Sequence, residues 1–157
     1  MENYLQVLEE SLYKKLDVLG RIETLCAKQE QILSEEIVSE EAFDSSIEKK
    51  GVLIDELTKL DEGFETLYGH IKGQIAEGKE RYKAQIASLQ KKIAEVTEKS
   101  VAIQAQEARN KNLAENYFAK AREDLKKNRK SSRAALDYYR NMNKMQVVSP
   151  QFMDKKK

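Results

Sequence analysis

The chain has almost none of the residues that interrupt helices or cross-link folds. Its 157 residues include one Pro, one Cys, six Gly and no Trp. A single cysteine cannot form an internal disulfide bond, so the fold needs no oxidising compartment. Pro150 lies close to the C-terminus, and the residues before it can form long helices. With 35% charged residues, this composition is typical of a coiled coil or a long-helix protein.

Side chains that perform catalysis or bind metals are also scarce. His70 is the only histidine, which excludes a His-based metal cluster or a catalytic triad. Cys26 lies on a predicted apolar helix face, where we expect it to act as a small hydrophobic residue. Acidic pairs such as Glu9 and Glu10 are common in so charged a chain and indicate solvated faces. We therefore expect a protein that is not an enzyme and has no cofactor and no metal.

Long apolar runs are missing as well. No run approaches the roughly 20 residues that a membrane-spanning helix needs. The first ten residues, MENYLQVLEE, are acidic and lack the charged-then-apolar layout of a signal peptide. The sequence therefore predicts a cytoplasmic protein with no membrane span.

The N-terminal half of the chain has few basic residues, and the C-terminal half has few acidic ones. Residues 1–78 carry 8 basic and 18 acidic side chains, whereas residues 79–157 carry 20 basic and 9 acidic ones. The basic half could bind nucleic acid or an acidic partner. It could instead pack against the acidic half, so that the charges meet within one molecule, as helical bundles arrange their pairing. We favour the second interpretation, which makes nucleic acid an unfavoured partner.

The most regular pattern in the sequence is a heptad repeat near the N-terminus. Apolar residues recur there at alternating steps of three and four, which predicts one long amphipathic helix. Seven of its nine positions are apolar, and the other two hold Lys15 and Gln29. The nine seam positions are Leu5, Leu8, Leu12, Lys15, Leu19, Ile22, Cys26, Gln29 and Leu33.

Ser39 followed by Glu40 and Glu41 resembles a helix N-cap with acidic residues in the first turn. Because only a short turn separates the two, a second helix starting near Glu40 would run antiparallel to the first. The end of this second helix is ambiguous. Four glycines between 63 and 78 favour a turn at 69–78, but the helical spacing of apolar residues continues unbroken through this stretch, which favours one continuous helix. Residues 109–112, around Asn110, are another candidate for this turn. We favour the turn at 69–78.

The C-terminal part alternates between apolar and polar segments. Residues 126–133 contain no apolar residue, so the segment 134–142 is a separate amphipathic piece. Beyond it, Val147, Val148, Phe152 and Met153 could clasp back on the protein or dock elsewhere. The predicted fold is an all-α antiparallel long-helix bundle or coiled coil of three main helices with a mobile C-terminal tail. The bounds are helix 1 about 2–36, helix 2 about 40–72 and helix 3 about 79–145, in a single domain 1–145 with a flexible tail at 146–157.

The chain resembles the bacterial flagellar export chaperones of the FlgN type. The likeness begins in the heptad helix and is strongest over residues 46–65, where a Glu- and Lys-rich helix carries regularly spaced leucines. Asn110 to Leu113 resembles the family's Asn-x-x-Leu, and Tyr138-Tyr139 resembles its late tyrosine. The sequence departs from the family in lacking the longer polar loop often found between helices 2 and 3.

The resemblance implies a chaperone that binds hook–filament junction proteins, prevents their early assembly and delivers them to the flagellar export gate. It assigns substrate binding to roughly 113–145 and gate docking to an exposed tyrosine, Tyr138 or Tyr139. The alternative for the segment 134–142 is that its tyrosines simply pack on the bundle. The substrate-binding candidates are Leu113, Tyr117, Phe118, Leu125 and Leu136. The alternative is a structural coiled-coil protein that oligomerises through its own seam, for example as a homodimer.

Overall fold

The computed structural model describes residues 2–124 and 135–142, and about 92% of these residues are helical. The long helices are α1 (Glu2–Ser34), α2 (Glu40–Glu77) and α3 (Lys83–Asp124), and a short helix, α4, covers 135–142. No strand occurs in the described ranges. The structure therefore confirms the all-α bundle of three main helices. Leu125 and the tail at 146–157 lie outside the described residues.

The three long helices run up, down and up. Lys15 of α1 pairs with Asp61 of α2, and Gln29 pairs with Ser46, so these two helices are antiparallel. Glu9 pairs with Lys92, and Glu23, farther along α1, pairs with Lys99, farther along α3, so α1 and α3 are parallel. At 1.5 Å per residue, α3 is about 63 Å long.

α1 is the central helix of the bundle. It packs along both α2 and α3, whereas in the described part of the chain the Cα atoms of α2 and α3 stay more than 8 Å apart. α2 and α3 therefore meet through side chains, such as Lys50 with Glu107 and Phe43 with Phe118, and we call the line along which they meet above α1 the α2–α3 groove. All nine seam positions of α1 are buried, including Lys15 and Gln29. The seam predicted from the heptad pattern is thus filled by the chain's own helices.

Capping residues set the two ends of α2. The Ser39 hydroxyl accepts a hydrogen bond from the backbone N–H of Ala42 at 3.2 Å, which confirms the predicted N-cap. At the other end, the backbone N–H of Gly78 bonds to the carbonyl of Gln74. The turn to α3 occupies 78–82, so α2 continues five residues past the predicted end at 72.

α3 is continuous through 109–112, which excludes the alternative turn there. It ends at Asp124, and α4 forms a separate helix, as the polar run at 126–133 predicted. The predicted range for helix 3, about 79–145, is therefore too long, because it joined two helices into one. None of the described helices is long and apolar enough to cross a membrane.

Charges of the two halves meet between α1 and α3. The Glu9 carboxylate lies 3.1 Å from the Lys92 ammonium, and Glu23 lies 2.8 Å from Lys99. Lys92 and its neighbour Ser88 lower the pKa of the Glu9 carboxyl through hydrogen bonds. The interpretation that basic residues of the second half pair with acidic residues of the first is confirmed at these two positions.

Candidate functional site

The candidate site lies where α4 packs into the α2–α3 groove. Tyr138 and Tyr139 are 3% and 7% exposed. The Tyr138 hydroxyl donates to Glu107 Oε2 at 2.8 Å, and the Tyr139 hydroxyl donates to the Asn110 carbonyl at 3.2 Å. The two rings also contact each other edge to face, with centroids 5.0 Å apart. α4 is therefore attached by two buried hydroxyls as well as by apolar contact.

A buried ion pair lies beneath α4. Lys50 Nζ of α2 is 2.5 Å from Glu107 Oε1 of α3, and both side chains are almost completely buried. Lys50 also donates to Gln29 Oε1 at 2.8 Å, and its ammonium lies 4.6 Å from the centre of the Tyr138 ring. Lys50 thus links all four helices, since Gln29 belongs to α1 and Tyr138 to α4.

Neighbouring polar groups complete this network. Cys26 Sγ donates to Glu107 Oε1 at 2.6 Å, and Asn110 Nδ2 donates to the Cys26 carbonyl at 2.9 Å. The Gln29 amide nitrogen donates to the Ser46 hydroxyl at 3.0 Å. Buried polar groups cost little when each has a partner, and these groups supply partners to one another. The polar network is defined as Cys26, Gln29, Ser46, Lys50, Glu107, Asn110 and Tyr138.

Burial sets the protonation of the thiol and hydroxyls in this network. It raises the pKa of the Cys26 thiol far above its usual range, so the thiol stays protonated and unreactive at neutral pH. Burial, with the Glu107 charge adding to it, also raises the pKa of Tyr138. Both groups therefore remain hydrogen-bond donors to the Glu107 carboxylate.

A second buried pair lies farther along the bundle. Lys15 Nζ is 2.5 Å from Asp61 Oδ1, and both side chains are over 90% buried. Burial lowers the pKa of Lys15, while Asp61 opposes that shift. The two pairs lie at different levels of α1. Lys15 belongs to α1 itself, and the Lys50–Glu107 pair is joined to α1 through Gln29. Such pairs penalise a slip in helix register, because any slip would leave a charge buried and unpaired.

A pocket of about 270 Å³ opens between the C-terminal part of α3 and α4. Phe118 and Leu136 give it an apolar wall, and Leu136 is 57% exposed. Its other lining residues are Lys111, Ala114, Glu115, Arg122, Ala135, Tyr139 and Arg140. The pocket thus combines apolar area with three cationic side chains and one carboxylate.

The structure brings together only some of the predicted substrate-binding residues. Phe118 and Leu136 both line the pocket. Phe118 also packs on Phe43 of α2, with ring centroids 5.8 Å apart. Leu113 and Tyr117 are half-buried outside the pocket lining, and the Tyr117 hydroxyl donates to Glu40 at 3.0 Å. Leu125 lies outside the described residues.

Of the two interpretations of Tyr138 and Tyr139, the structure agrees with packing on the bundle, since neither ring is exposed. Both rings are buried against α3, because their hydroxyls find acceptors in Glu107 and in the Asn110 backbone. Docking of either tyrosine on the export gate stays a prediction, and it now requires α4 to leave its position first. Sequence reasoning missed Lys50 and Glu107, although Gln29 on the apolar seam was a signal that a polar partner lay opposite.

Among the described residues there is no group of three or more His, Cys, Asp or Glu side chains that could hold a metal ion. The arrangement instead offers a surface that accepts a helix and an apolar pocket beside it. No family model, curated protein or solved structure matches the chain. The function is therefore proposed from the residues, the geometry and the family resemblance.

Proposed function

We propose that the chain is a flagellar type III export chaperone that works in the cytoplasm. It binds the amphipathic terminal helices of hook–filament junction subunits, keeps them from assembling early and delivers them to the export gate. The resemblance to chaperones of the FlgN type supports the biological role. The observation that carries the binding mode is the pocket between α3 and α4, where Phe118 and Leu136 leave apolar area open beside a helix that is already docked.

The packing of α4 supports a helix as the ligand of this surface. α4 is a short amphipathic helix whose Ala135, Tyr138, Tyr139 and Met142 are buried, while Leu136 and Arg140 face outward. A partner helix laid beside it would cover Leu136 and the pocket, which is the helix-in-groove mode of recognition. Lys111, Arg122 and Arg140 at the pocket favour a partner helix with carboxylates along its edge.

Oligomerisation through the heptad seam is the weaker candidate. A seam that joins two chains has to be open on the single chain. Here all nine seam positions are buried within one molecule. A dimer would therefore need another surface.

The decisive experiment is a calorimetric titration with a synthetic peptide of a junction-subunit terminal helix. Leu136→Ser should weaken binding by about five- to tenfold, because covering the exposed part of a leucine side chain contributes about 1–1.4 kcal/mol and 1.4 kcal/mol corresponds to a factor of ten. Val101→Ser is the matched control, since Val101 is 60% exposed on α3 but does not line the pocket. Equal affinity of both variants and wild type would reject the pocket as the binding site.

A further inference from the structure

A second apolar opening lies in the same α2–α3 groove, at the end away from α4. Its volume is about 530 Å³, and Leu8 of α1 forms part of its floor. The apolar walls come from the C-terminal half of α2 and the N-terminal half of α3. They consist of Phe64, Tyr68, Ile75, Ile86, Ala87, Leu89 and Ile93. We call this opening the distal groove.

The direction of α4 points the chain toward the distal groove. Ala135, at the start of α4, shares a pocket with Phe118 and Arg122. Met142, at its end, shares a neighbouring pocket with Glu107 and Ala108. α4 therefore runs antiparallel to α3, and its C-terminal end at Met142 points toward the α3 N-terminus.

The length of chain after Met142 matches the distance to be covered. From Glu107 back to Ile93 is about 21 Å along α3, and back to Ile86 is about 32 Å, at 1.5 Å per residue. An extended chain advances about 3.3 Å per residue, so Val147 reaches about 17 Å and Phe152 about 33 Å beyond Met142.

The sequence after Met142 also has the right chemistry for an extended ligand. Val147 and Val148 favour extended backbone, and Pro150 restrains Ser149 in the same way. The four apolar residues Val147, Val148, Phe152 and Met153 form two pairs about 17 Å apart in a fully extended chain. The part of α3 that lines the distal groove, from Lys83 to Ile93, is about 15 Å long, so the two pairs reach its two ends.

We propose that the distal groove binds the chain's own C-terminal segment, residues 143–157. The segment continues from α4 in extended form, with Val147 and Val148 near Ile93 and with Phe152 and Met153 near Lys83 and Ile75. The groove then has an intramolecular ligand, and any partner that binds there competes with the tail. This inference goes beyond the proposed function and does not depend on the identity of a substrate.

A cysteine cross-linking experiment on the full chain tests this proposal. Gln90→Cys places a thiol on the exposed rim of the distal groove, and Gln151→Cys places one beside Phe152 without removing an apolar residue. Cys26 does not interfere, because it is buried and its thiol pKa is raised. With a short bismaleimide, we expect an intramolecular cross-link at low protein concentration, at least about tenfold faster than in the control, because docking raises the effective concentration of the two thiols.

The matched control replaces Gln90→Cys with Glu95→Cys. Glu95 is exposed on the same helix, about 140° around its axis, and does not line the groove. Lys83→Cys, on the groove, is a second test site should Gln90→Cys disturb folding, and it should behave like Gln90→Cys. Adding Phe152→Ser and Met153→Ser should reduce the groove cross-link to the control rate.

Two results would overturn the proposal. One is an equal rate of cross-linking from Gln90→Cys and Glu95→Cys, since the tail would then show no preference for the groove. The other is a covalent dimer as the main product, which would mean that the tail binds a second copy of the chain. Neither result depends on the junction peptide, so both leave the proposed function to its own titration.

Discussion

At the scale of single residues, the Lys50–Glu107 pair is the most informative contact in the molecule. Both groups are almost fully buried, and each has further polar partners. Burying two charges costs several kcal/mol each before their attraction offsets it, so such a pair adds little net stability over an apolar core. Its value lies in specifying one arrangement, because only one register and one position of α4 satisfy all these groups together.

Lys50→Met should therefore destabilise the protein strongly. The substitution keeps most of the side-chain volume but leaves Glu107 without its ammonium partner, and we expect a loss of about 3–5 kcal/mol in the free energy of unfolding. Urea denaturation followed by circular dichroism measures this change. Lys49→Met is the matched control, because Lys49 is the adjacent residue and is exposed, and it should change stability by less than about 0.5 kcal/mol. A loss below about 1 kcal/mol for Lys50→Met would show that Glu107 finds another partner.

At the scale of helices, the end of α2 depends on what surrounds its glycines. Gly73 lies inside α2, and a Cβ added there would meet nothing within 4 Å. Gly78 caps the helix, and a Cβ there would come within 2.9 Å of the buried Tyr82 ring and 3.2 Å of the Gln74 carbonyl. The two positions therefore tolerate a methyl group very differently, although both were candidates for the turn.

Substitution of these two glycines by alanine should change stability in opposite directions. Gly73→Ala should stabilise the protein by up to about 1 kcal/mol, because alanine favours the helix and restricts the unfolded chain. Gly78→Ala should destabilise it by about 1 kcal/mol or more, since either the Tyr82 ring or the turn has to move. Thermal unfolding of the two variants beside wild type measures both effects. A destabilising Gly73→Ala would mean that α2 ends earlier than Glu77.

The helical features that the sequence predicted correctly are those that depend on residues close together in the chain. The α1 seam and the Ser39 cap depend on residues within a few positions of each other, and both were predicted correctly. The turn after α2 was placed too early, because Gly69 and Gly73 suggested a break and the sequence does not show how much packing the helix retains there. The polar network was missed because Gln29 and Glu107 are 78 positions apart, and only the fold brings their partners together.

At the scale of the whole molecule, α1, α2 and α3 form the body and α4 is an addition to it. The seam of α1 is enclosed by α2 and α3, and Glu107 keeps Lys50 and Cys26 as partners even without Tyr138. The body therefore keeps its apolar seam and its buried ion pair without α4. α4, by contrast, has eight described residues, and isolated helices of that length do not persist in water.

Ending the chain at residue 133 should consequently leave a folded three-helix body. We expect cooperative urea unfolding with a lower midpoint, and a helical signal per residue close to that of the full chain. The junction peptide should bind more weakly, because Leu136 and one wall of the pocket are removed. Circular dichroism and calorimetry measure the two effects. If unfolding became non-cooperative, Tyr138 and Tyr139 would belong to the folding core instead.

The contact surface beneath α4 has a consequence for how the protein behaves at high concentration. Most docked helices cover an apolar surface, and their detachment leaves that surface free to bind other molecules nonspecifically. Here detachment frees two polar acceptors, the Glu107 carboxylate and the Asn110 carbonyl, together with the buried side chains of Tyr138, Tyr139 and Met142. An opened molecule would therefore expose a mixed polar and apolar surface, so in a crowded solution either the return of α4 or a bound partner has to cover it.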